Sequence, residues 1–460
     1  MQKKWLYRIT GGILAGVMLL SAGCRQHSPQ PAPDPGSGTS IPASSEAGRP
    51  ADITSAGFPA AERWQPEEFV ISTLLGIPYG SVESQNNRAV KYHKEAYFNT
   101  IELVNLSGED MEMALQTCRE QGVKVIIGDP GLMPGSSLGE EEILRKMQDY
   151  AAYDETIRGF FICDEPHHKQ ELYTEISDWT NRLRQLAPAK LMYSNLFPSY
   201  GVYTWAGGKD DYRQTTYAQY VDDFIRMTDP DVLSVDYYVF AHSTSCEADL
   251  DRNNWWRDWG YFRQRSMETG KPFWCYIQSL GEFAVKKEIG NMTAERIAVQ
   301  VNAAVAYGAK GVSYYNSLCS LIDERAYKTS LYEGIQRVNQ GAMTYGSILL
   351  DKSYDELYHT SVPEALQGPY FSDNLKESKW FTALPDNTLV STFTDDKGAV
   401  YLMVVNRSYD RRVQGSVELK SPRNIVRIAP DTGAEISVSA AADSLPVELD
   451  AGDAALYVLR

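Results

Sequence analysis

The sequence predicts a (β/α)8 barrel followed by a small antiparallel β-sandwich. Between about residue 62 and residue 335, apolar strand-like runs alternate eight times with amphipathic helical stretches, which is the repeat and the length of such a barrel. Several of these apolar runs end directly in acidic residues. After about residue 386 the helical pattern stops, and short apolar runs separated by turn sequences replace it.

The predicted barrel strands are short apolar runs. In chain order they are Phe69–Gly76, Thr100–Asn105, Val123–Pro130, Gly159–Pro166, Lys190–Asn195, Asp231–Tyr238, Pro272–Gln278 and Lys310–Asn316. No glycine-rich phosphate loop follows the first run. Its absence from the sequence disfavours the alternative of a doubly wound open sheet that binds a nucleotide.

The predicted helices carry apolar residues at helical spacing. Gly122, Gly270 and Gly308 directly follow three of them, in the position of a C-terminal cap. A first helix ends near Phe98, and the last barrel helix begins at about residue 332. The others cover Glu109–Gln121, Gly139–Tyr153, Lys169–Leu186, Thr216–Met227, Trp255–Thr269 and Thr293–Tyr307.

The C-terminal region has the pattern of short antiparallel strands. Leu389–Phe393 and Ala399–Asn406 are apolar runs separated by the turn sequence Asp395–Gly398. Further short runs and turns continue to the end of the chain. We therefore expect the barrel to span residues 61–362 and the β-sandwich to span residues 380–460.

The N-terminal region lies outside the predicted fold. A positively charged start precedes Ile9–Leu20, an apolar run that is short for a membrane span. The segment Leu20–Cys24 then resembles a bacterial lipobox, with Ser21 where a leucine is commonest. The resemblance implies that residues 1–24 are a lipoprotein signal peptide and that Cys24 carries the lipid. An ordinary secretory signal is the alternative.

Residues 25–60 are rich in Pro, Ser, Gly and Ala and have few large apolar side chains. Such a composition cannot bury enough surface to fold, so we expect a disordered tether. A lipid on Cys24 would anchor the protein to the cell membrane, on its extracytoplasmic face.

The composition restricts the partners. A net charge of −16 argues against nucleic acid and anionic lipid. The 29 tyrosines and 9 tryptophans suit a cleft that binds carbohydrate, although a large core also uses aromatic residues. The six cysteines show no Cys-x-x-Cys spacing and indicate neither a disulfide framework nor a zinc site. A single bridge between Cys246 and Cys319, both in predicted loops, stays open.

Acidic residues are the candidates for chemistry. Glu102, Asp129, Asp164, Glu165 and Asp236 all lie at or near the ends of predicted strands. The carboxyl ends of parallel barrel strands meet at one rim, and acids rarely adjoin buried apolar runs unless they are paired or functional. Cleavage of a glycosidic bond usually requires two carboxyl groups.

The arrangement of strands and acids resembles clan A glycoside hydrolases, including the family 42-like β-galactosidase group. In that clan the general acid/base is a glutamate at the end of the fourth strand, generally preceded by Asn. Glu165 matches this position, with Asp164 before it. The clan's nucleophile is a glutamate at the end of the seventh strand, where this sequence has Gln278. A neutral amide cannot form the glycosyl-enzyme ester.

Three explanations of this departure stay open. Asp236 of the sixth strand could supply the second carboxylate, as acid pairs from the fourth and sixth strands do in other barrel glycosidases. Glu282, in the loop beyond Gln278, could replace it. Alternatively, the barrel could bind glycans without cleaving them. Asp236 is our candidate, and Asp164 is a third catalytic candidate that could orient Glu165.

Polar and aromatic residues near strand ends are the expected sugar-binding groups, because amides, hydroxyls and ring faces suit a pyranose. They are Glu102, Asp129, Tyr193, Asn195, Tyr238, Trp274, Gln278 and Tyr314. Asp129 could instead be a turn residue. The adjacent His167 and His168 would point in different directions, and the sequence has no His-Glu-x-x-His motif, nucleophile elbow or P-loop. We therefore expect no metal and no cofactor.

These observations favour a lipid-anchored glycoside hydrolase that acts on an oligo- or polysaccharide, with Glu165 as general acid/base and Asp236 as second carboxylate. The alternative is a catalytically inactive barrel that binds glycans at the cell surface. A metal-dependent deacetylase barrel would require clusters of His and Asp that the sequence lacks.

Overall fold

The computed structural model describes residues 63–104, 106–202, 216–240, 254–280, 292–362 and 372–460. Over the first five of these ranges, strands and helices alternate as the sequence predicts. They are β1 (Val70–Thr73), α1 (Glu83–Glu95), β2 (Thr100–Val104), α2 (Gly108–Gln121), β3 (Lys124–Gly128), α3 (Glu140–Ala151), β4 (Ile157–Asp164), α4 (Gln170–Leu186), β5 (Leu191–Leu196), α5 (Tyr217–Thr228), β6 (Leu233–Asp236), α6 (Trp255–Thr269), β7 (Phe273–Gln278), α7 (Ala294–Ala306), β8 (Gly311–Tyr315) and α8 (Tyr332–Ile348).

Strands β1 to β8 form one parallel sheet in which β2 to β8 pair in chain order and β8 returns to pair with β1. The remaining gap, between β1 and β2, is bridged at Leu74 and Glu102. The Asn99 side chain also spans it, because its Oδ1 accepts from the Ile71 amide at 3.0 Å and its Nδ2 donates to the Phe69 carbonyl at 2.9 Å. The sheet is therefore a nearly closed barrel, and the predicted fold class is confirmed.

The amino-terminal end of the barrel is filled by side chains. Val70, Leu191 and Trp274 pack inside it, and Trp64 places its ring edge-on against Trp274 with the ring centroids 5.9 Å apart. A Cβ at Gly311 would lie 2.5 Å from the Trp274 ring, so only glycine fits at that position. Chemistry is therefore expected at the opposite end of the barrel.

The described C-terminal strands form an antiparallel sheet in the order β10, β13, β15, β12, β11, β9, with β14 beside β13. Residues of β13 such as Leu419 share a core with Val404 and Tyr358, so the bulged sheet encloses apolar residues between its parts. This agrees with the predicted small antiparallel unit. The strands are β9 (Ser353–His359), β10 (Phe381–Ala383), β11 (Thr388–Thr394), β12 (Val400–Asn406), β13 (Val413–Ile428), β14 (Glu435–Leu449) and β15 (Ala454–Leu459).

The sheet begins earlier than the sequence suggests, since β9 lies within the range expected for the barrel. Two acidic residues, Asp355 and Glu356, interrupt its apolar pattern. Both carboxylates are satisfied in the fold, because Trp380 Nε1 donates to Asp355 at 2.6 Å and Ser378 Oγ donates to Glu356 at 2.7 Å. These partners come from a later part of the chain, and the local pattern could not predict them.

The barrel and the sheet share a continuous core. Trp256 of α6 contacts His359 of β9 with ring centroids 4.7 Å apart, and Asn302 of α7 donates to the Gly452 carbonyl at 2.8 Å. The predicted signal peptide, the tether and Cys246 lie outside the described residues. None of the described helices is both long and apolar enough to cross a lipid bilayer.

Candidate active site

The end of β4 is irregular, and this irregularity sets the direction of its acidic side chains. Phe161 pairs with Tyr193, but the register then shifts, so that Asp164 pairs with Asn195. Such a bulge re-aims the side chains that follow it. Because Tyr193 packs inside the barrel and Asn195 lies two residues further along the same strand, both point inward, and Asp164 is aligned with them.

Glu165 follows in a left-handed conformation, with φ of 45°. This conformation costs a residue other than glycine about 1–2 kcal/mol, so neighbouring groups must hold it. One of these groups is the Asn195 carbonyl, which accepts a hydrogen bond from the Glu165 amide at 2.9 Å. Strained backbone of this kind is common at functional sites.

Three carboxyl groups meet at the carboxyl end of the barrel. Glu165 and Asp236 are hydrogen-bonded to each other, and the charge of Asp164 acts on both. Asp164 is exposed, Glu165 is half-buried and Asp236 is buried, so the group lies in a pocket that opens to solvent beside Asp164. The structure thus brings together the three acids that the sequence proposed for catalysis.

This crowding changes the protonation of the pair. Burial raises the pKa of Glu165 well above its usual value, and the charges of Asp236 and Asp164 raise it further. Burial and the charge of Asp164 also raise the pKa of Asp236, but hydrogen bonds from Glu165, Tyr238 and Asn195 partly oppose this. Two carboxyl groups in contact cannot both ionise easily, so the pair retains a proton at neutral pH, and the larger rise in pKa is that of Glu165.

Asn195 connects the acids. Its Oδ1 accepts from Ser234 Oγ at 3.0 Å, which turns its Nδ2 towards the carboxylates. From there Nδ2 donates to Asp164 Oδ1 at 3.3 Å, and the Asn195 side chain also helps to lower the pKa of Asp236. The protein atoms crowded around the rim raise the pKa of Asp164 to about 6 even though its side chain reaches solvent, and the bond from Asn195 partly opposes that rise.

Three tyrosines surround the acids. Tyr238 partly opposes the rise in the pKa of Asp236, and its ring lies 4.9 Å from the ring of Tyr315, measured between centroids. Burial and the three carboxylates raise the pKa of Tyr315 to about 12. Burial, then Asp236, raises the pKa of Tyr200 well above its usual value. All three phenols are neutral at pH 7 and can donate hydrogen bonds to a ligand.

Tyr200 and Tyr315 are absent from the residues that the sequence proposed for sugar binding. The sequence proposed Tyr314 instead, but Tyr314 points out of the barrel, where its hydroxyl donates to Asn339 Oδ1 at 2.5 Å. A shift of one residue along a strand reverses the face. The sequence contains a pattern that indicates Tyr315, because the small residues Gly311 and Ser313 alternate with it and share the inner face of the strand.

Gln278 is buried at the end of β7 and is fully engaged by the protein. Its Nε2 donates to the Leu280 carbonyl at 2.8 Å, and its Oε1 accepts from the Phe240 amide at 2.8 Å. The side chain therefore ties the end of β7 to the segment after β6. Both polar ends of the predicted sugar-binding residue Gln278 are thus engaged within the protein, and its Nε2 makes a bond that a carboxylate could not donate.

Replacing Gln278 by Glu is expected to destabilise the protein by about 1–3 kcal/mol without creating a nucleophile. A carboxylate cannot donate to the Leu280 carbonyl, so a buried acceptor loses its partner. Urea unfolding would measure the change, with the exposed Gln170→Glu as control. A Gln278→Glu variant with unchanged stability and raised hydrolytic activity would contradict this assignment.

Glu102 and Tyr193 lie within the barrel rather than at its rim. Glu102 is only 1% exposed, and its Oε1 accepts from Ser72 at 2.7 Å and from Ser313 at 2.9 Å, while Tyr276 donates to Oε2. The Tyr193 hydroxyl bonds Ser234 Oγ at 3.0 Å. Both side chains support the floor of the site, which corrects their assignment as sugar-binding groups.

Asp129 and Trp274 are also placed away from the acids. Asp129 faces helix α3, where Lys146 Nζ and Tyr150 OH each bond it at 2.7 Å. Burial alone would raise the pKa of Asp129, but these bonds outweigh it and lower the pKa. Trp274 packs at the amino-terminal end of the barrel. Neither residue is positioned to bind a substrate at the acidic pocket.

Glu282, the other candidate for the second carboxylate, lies outside the described residues. Within the ranges that the structure describes, no group of three or more His, Cys, Asp or Glu side chains is arranged to hold a metal ion. His168 Nε2 lies 3.0 Å from Asp223 Oδ2, at the side of helix α5.

The site and the barrel together define a (β/α)8 protein with an acidic, tyrosine-lined pocket at the carboxyl end of its strands. The chain matches no protein-family model and no curated protein. Solved structures do resemble it. A glycoside hydrolase family 5 structure from Bacteroides vulgatus has a TM-score of 0.51 and 12% identity, and covers 85% of this chain and 88% of its own.

Two further structures are similar with lower scores. An alpha-amylase from Anoxybacillus has a TM-score of 0.49 and 11% identity over 86% of this chain and 99% of its own. A GH51 arabinofuranosidase from Xanthomonas axonopodis pv. citri has a TM-score of 0.46 and 10% identity over 87% and 94%. At the identity of the family 5 structure, the likeness establishes a shared fold.

Proposed function

We propose that this protein is a glycoside hydrolase in which Glu165 is the general acid/base and Asp236 is the second carboxylate. The observation that carries the proposal is the hydrogen-bonded pair of Glu165 and Asp236 beside Asp164, at the end of the barrel where active sites lie. Because its pKa is raised, Glu165 keeps a proton at neutral pH that it can give to a leaving oxygen.

The contact between the two carboxyl groups describes the site before the substrate binds. Carboxyl separations of about 5–5.5 Å accompany retention of configuration and about 6.5–9.5 Å accompany inversion. Two carboxyl groups that share a proton are closer together than in either of these arrangements. A sugar must therefore separate the pair, after which Glu165 transfers its proton to the glycosidic oxygen instead of sharing it with Asp236.

The tyrosines and Asn195 suit an uncharged sugar. The phenols of Tyr200, Tyr238 and Tyr315 offer donors for hydroxyl groups, and their rings offer apolar surface. These groups support an oligo- or polysaccharide substrate. Even with Glu165 protonated, the group of three acids carries net negative charge, so a carboxylate-bearing sugar would be repelled by the described part of the pocket.

A second candidate function is glycan binding without cleavage. The observation that favours it is Gln278, since the position of the clan A nucleophile has no carboxylate. Against it stands the cost of placing three carboxyl groups together, which a binding site does not need. Both functions predict affinity for carbohydrate, but only the first predicts turnover.

Hydrolysis of a panel of aryl glycosides, in both anomeric configurations, would separate the two functions. We expect release of the aryl group from at least one member, and the anomer formed first would show retention or inversion by NMR. A wild type that is inert across the panel and on polysaccharides, yet binds them, would favour the binding protein.

We also propose that the protein is held at the cell surface by a lipid on Cys24. Support comes from the lipobox-like segment Leu20–Cys24 and from the composition of the tether. Arg63 and Trp64, the described residues nearest the tether, lie at the amino-terminal end of the barrel, where Arg63 pairs with Asp229.

Cys24→Ser is expected to abolish lipid attachment, because serine lacks the thiol that the lipid modifies. Metabolic labelling with a fatty acid and membrane fractionation would show the labelled wild type in the membrane and the variant unlabelled. Ser21→Leu, which restores the commonest lipobox residue, serves as control and should remain labelled. Equal labelling of the Cys24→Ser variant would contradict the anchor.

A further inference from the structure

Tyr220 of helix α5 connects the ends of two barrel strands beside the acidic pocket. Its side chain is fully buried. The phenol donates to the Pro166 carbonyl at 2.9 Å and accepts from the Phe197 amide at 3.2 Å. Pro166 directly follows Glu165, and Phe197 directly follows β5. One side chain therefore ties the residue after Glu165 to the residue after β5.

The Glu165 backbone needs such support. Its left-handed conformation is disfavoured for a residue with a side chain, and a proline follows it and restricts it further. The Glu165 amide is held by the Asn195 carbonyl at 2.9 Å, and the Pro166 carbonyl is held by Tyr220. Pro166 has no amide hydrogen of its own, so its carbonyl is its backbone contact with the fold.

Tyr220 lies close to the acidic residues but is not one of the groups that face the Glu165 carboxyl. Burial, then Tyr173, raises the pKa of Tyr220 well above its usual value, and Glu165 adds a smaller effect, so the phenol keeps its hydrogen at neutral pH. The groups that face the carboxyl of Glu165 are different ones: Asp164 from its own strand, Asp236 and Tyr238 from β6 and its continuation, Tyr200, and Tyr315 from β8.

We propose that Tyr220 is a positioning residue that holds the Glu165–Pro166 segment so that the Glu165 carboxyl contacts Asp236. Its effect on the rate rests on the proposed glycosidase function, whereas its effect on the carboxyl pair does not. Both bonds act on backbone atoms, so a phenylalanine of the same shape removes them without removing the packed ring.

Tyr220→Phe is the variant that tests this role. Displacing a catalytic group slightly can cost up to about 10²-fold in rate. We expect kcat to fall by about 10- to 100-fold with KM changed less than about 3-fold, because the acid is misplaced while the tyrosine-lined pocket remains. The alkaline limb of the pH profile should move to lower pH, since a looser pair no longer raises the pKa of Glu165 as strongly.

Tyr173→Phe is the matched control. Tyr173 is also buried, packs against Tyr220 with ring centroids 6.5 Å apart, and donates to a backbone carbonyl of α5, at 3.5 Å. It makes no bond to the ends of β4 or β5 that the structure describes. Its removal should cost some stability while leaving kcat and the pH profile as in the wild type.

The carboxyl pair can also be followed without turnover. Titration of the Glu165 carboxyl by NMR in 13C-glutamate-labelled protein, assigned with Glu165→Gln, should show its pKa falling in Tyr220→Phe and unchanged in Tyr173→Phe. If the wild type hydrolyses no glycoside, the proposed glycosidase function is wrong, and this titration still tests the positioning role of Tyr220. The inference is overturned if Tyr220→Phe titrates like the wild type, or if Tyr173→Phe shifts the pKa equally.

Discussion

Glu165→Gln is expected to lower kcat/KM for glycosides with poor leaving groups by about 10³-fold or more. A general acid supplies about 10²- to 10⁴-fold, and the amide cannot transfer a proton to the leaving oxygen. The fold should persist, because the amide can still donate to Asp236 where the protonated carboxyl did. Steady-state kinetics on the active members of the aryl glycoside panel would give the ratio.

The dependence on the leaving group tests the role more sharply than the size of the loss. A dinitrophenyl group leaves without protonation, so Glu165→Gln should lose much less activity on such a substrate than on an alkyl or phenyl glycoside. Glu171→Gln, an exposed change on the neighbouring helix, serves as control. An equal loss on all leaving groups would indicate a structural role and remove Glu165 as the acid.

The same substitution should stabilise the protein at neutral pH. A carboxyl whose pKa is raised in the folded state binds its proton more tightly there than in the unfolded chain, so stability falls as the pH rises above the ordinary pKa of glutamate. Glutamine has no proton to lose and removes that part of the decline. The site thus has the character of a functional cluster that costs stability.

Much of this arrangement could be predicted because it depends on local pattern. Apolar runs and helical spacing identify the barrel strands and helices, since each follows from the faces that must be buried. Asp164, Glu165 and Asp236 could be proposed for one rim because the carboxyl ends of parallel strands share an edge. The structure brings these three acids together.

The remaining parts of the site depend on partners that are distant in sequence. The sequence predicts Glu102 near a strand end, yet it lies mid-strand and is satisfied by Ser72 and Ser313 from two other strands. Asp129 turns outward because Lys146 is there to bind it. No local pattern reveals such partners. These distant partners determine whether an acidic residue stabilises the fold or belongs to the acidic pocket.

Strand register and loop position explain why the tyrosines found near the acidic pocket differ from those that the sequence predicts. On β8 the choice between Tyr314 and Tyr315 is a choice of face, and the apolar Val312 beside Tyr314 belongs to the outer face that packs on the helices. Tyr200 lies in a turn beyond β5, after Pro198, where a strand-based reading has no reason to look. Side chains carried by loops close to a rim are therefore the ones that sequence reasoning misses.

Asp236→Asn is expected to reduce kcat by about 10³-fold or more, because the asparagine can neither attack the sugar nor activate water. The two roles can be told apart with azide. If Asp236 is the nucleophile, a smaller Asp236→Ala variant should regain activity with added azide and form a glycosyl azide of inverted configuration. If it is a base that activates water, the wild type should itself invert.

The variant also has a consequence that follows from charge. The charge of Asp236 raises the pKa of Glu165, so its removal should lower that pKa and move the alkaline limb of the residual activity to lower pH. Asp178→Asn, an exposed change on α4, controls for a general effect of lost charge and should leave the limb in place. Full activity in Asp236→Asn would exclude Asp236 as the second carboxylate and leave Glu282 as the candidate. A large loss with an unmoved limb would show that the carboxyl pair is not coupled as its contact requires.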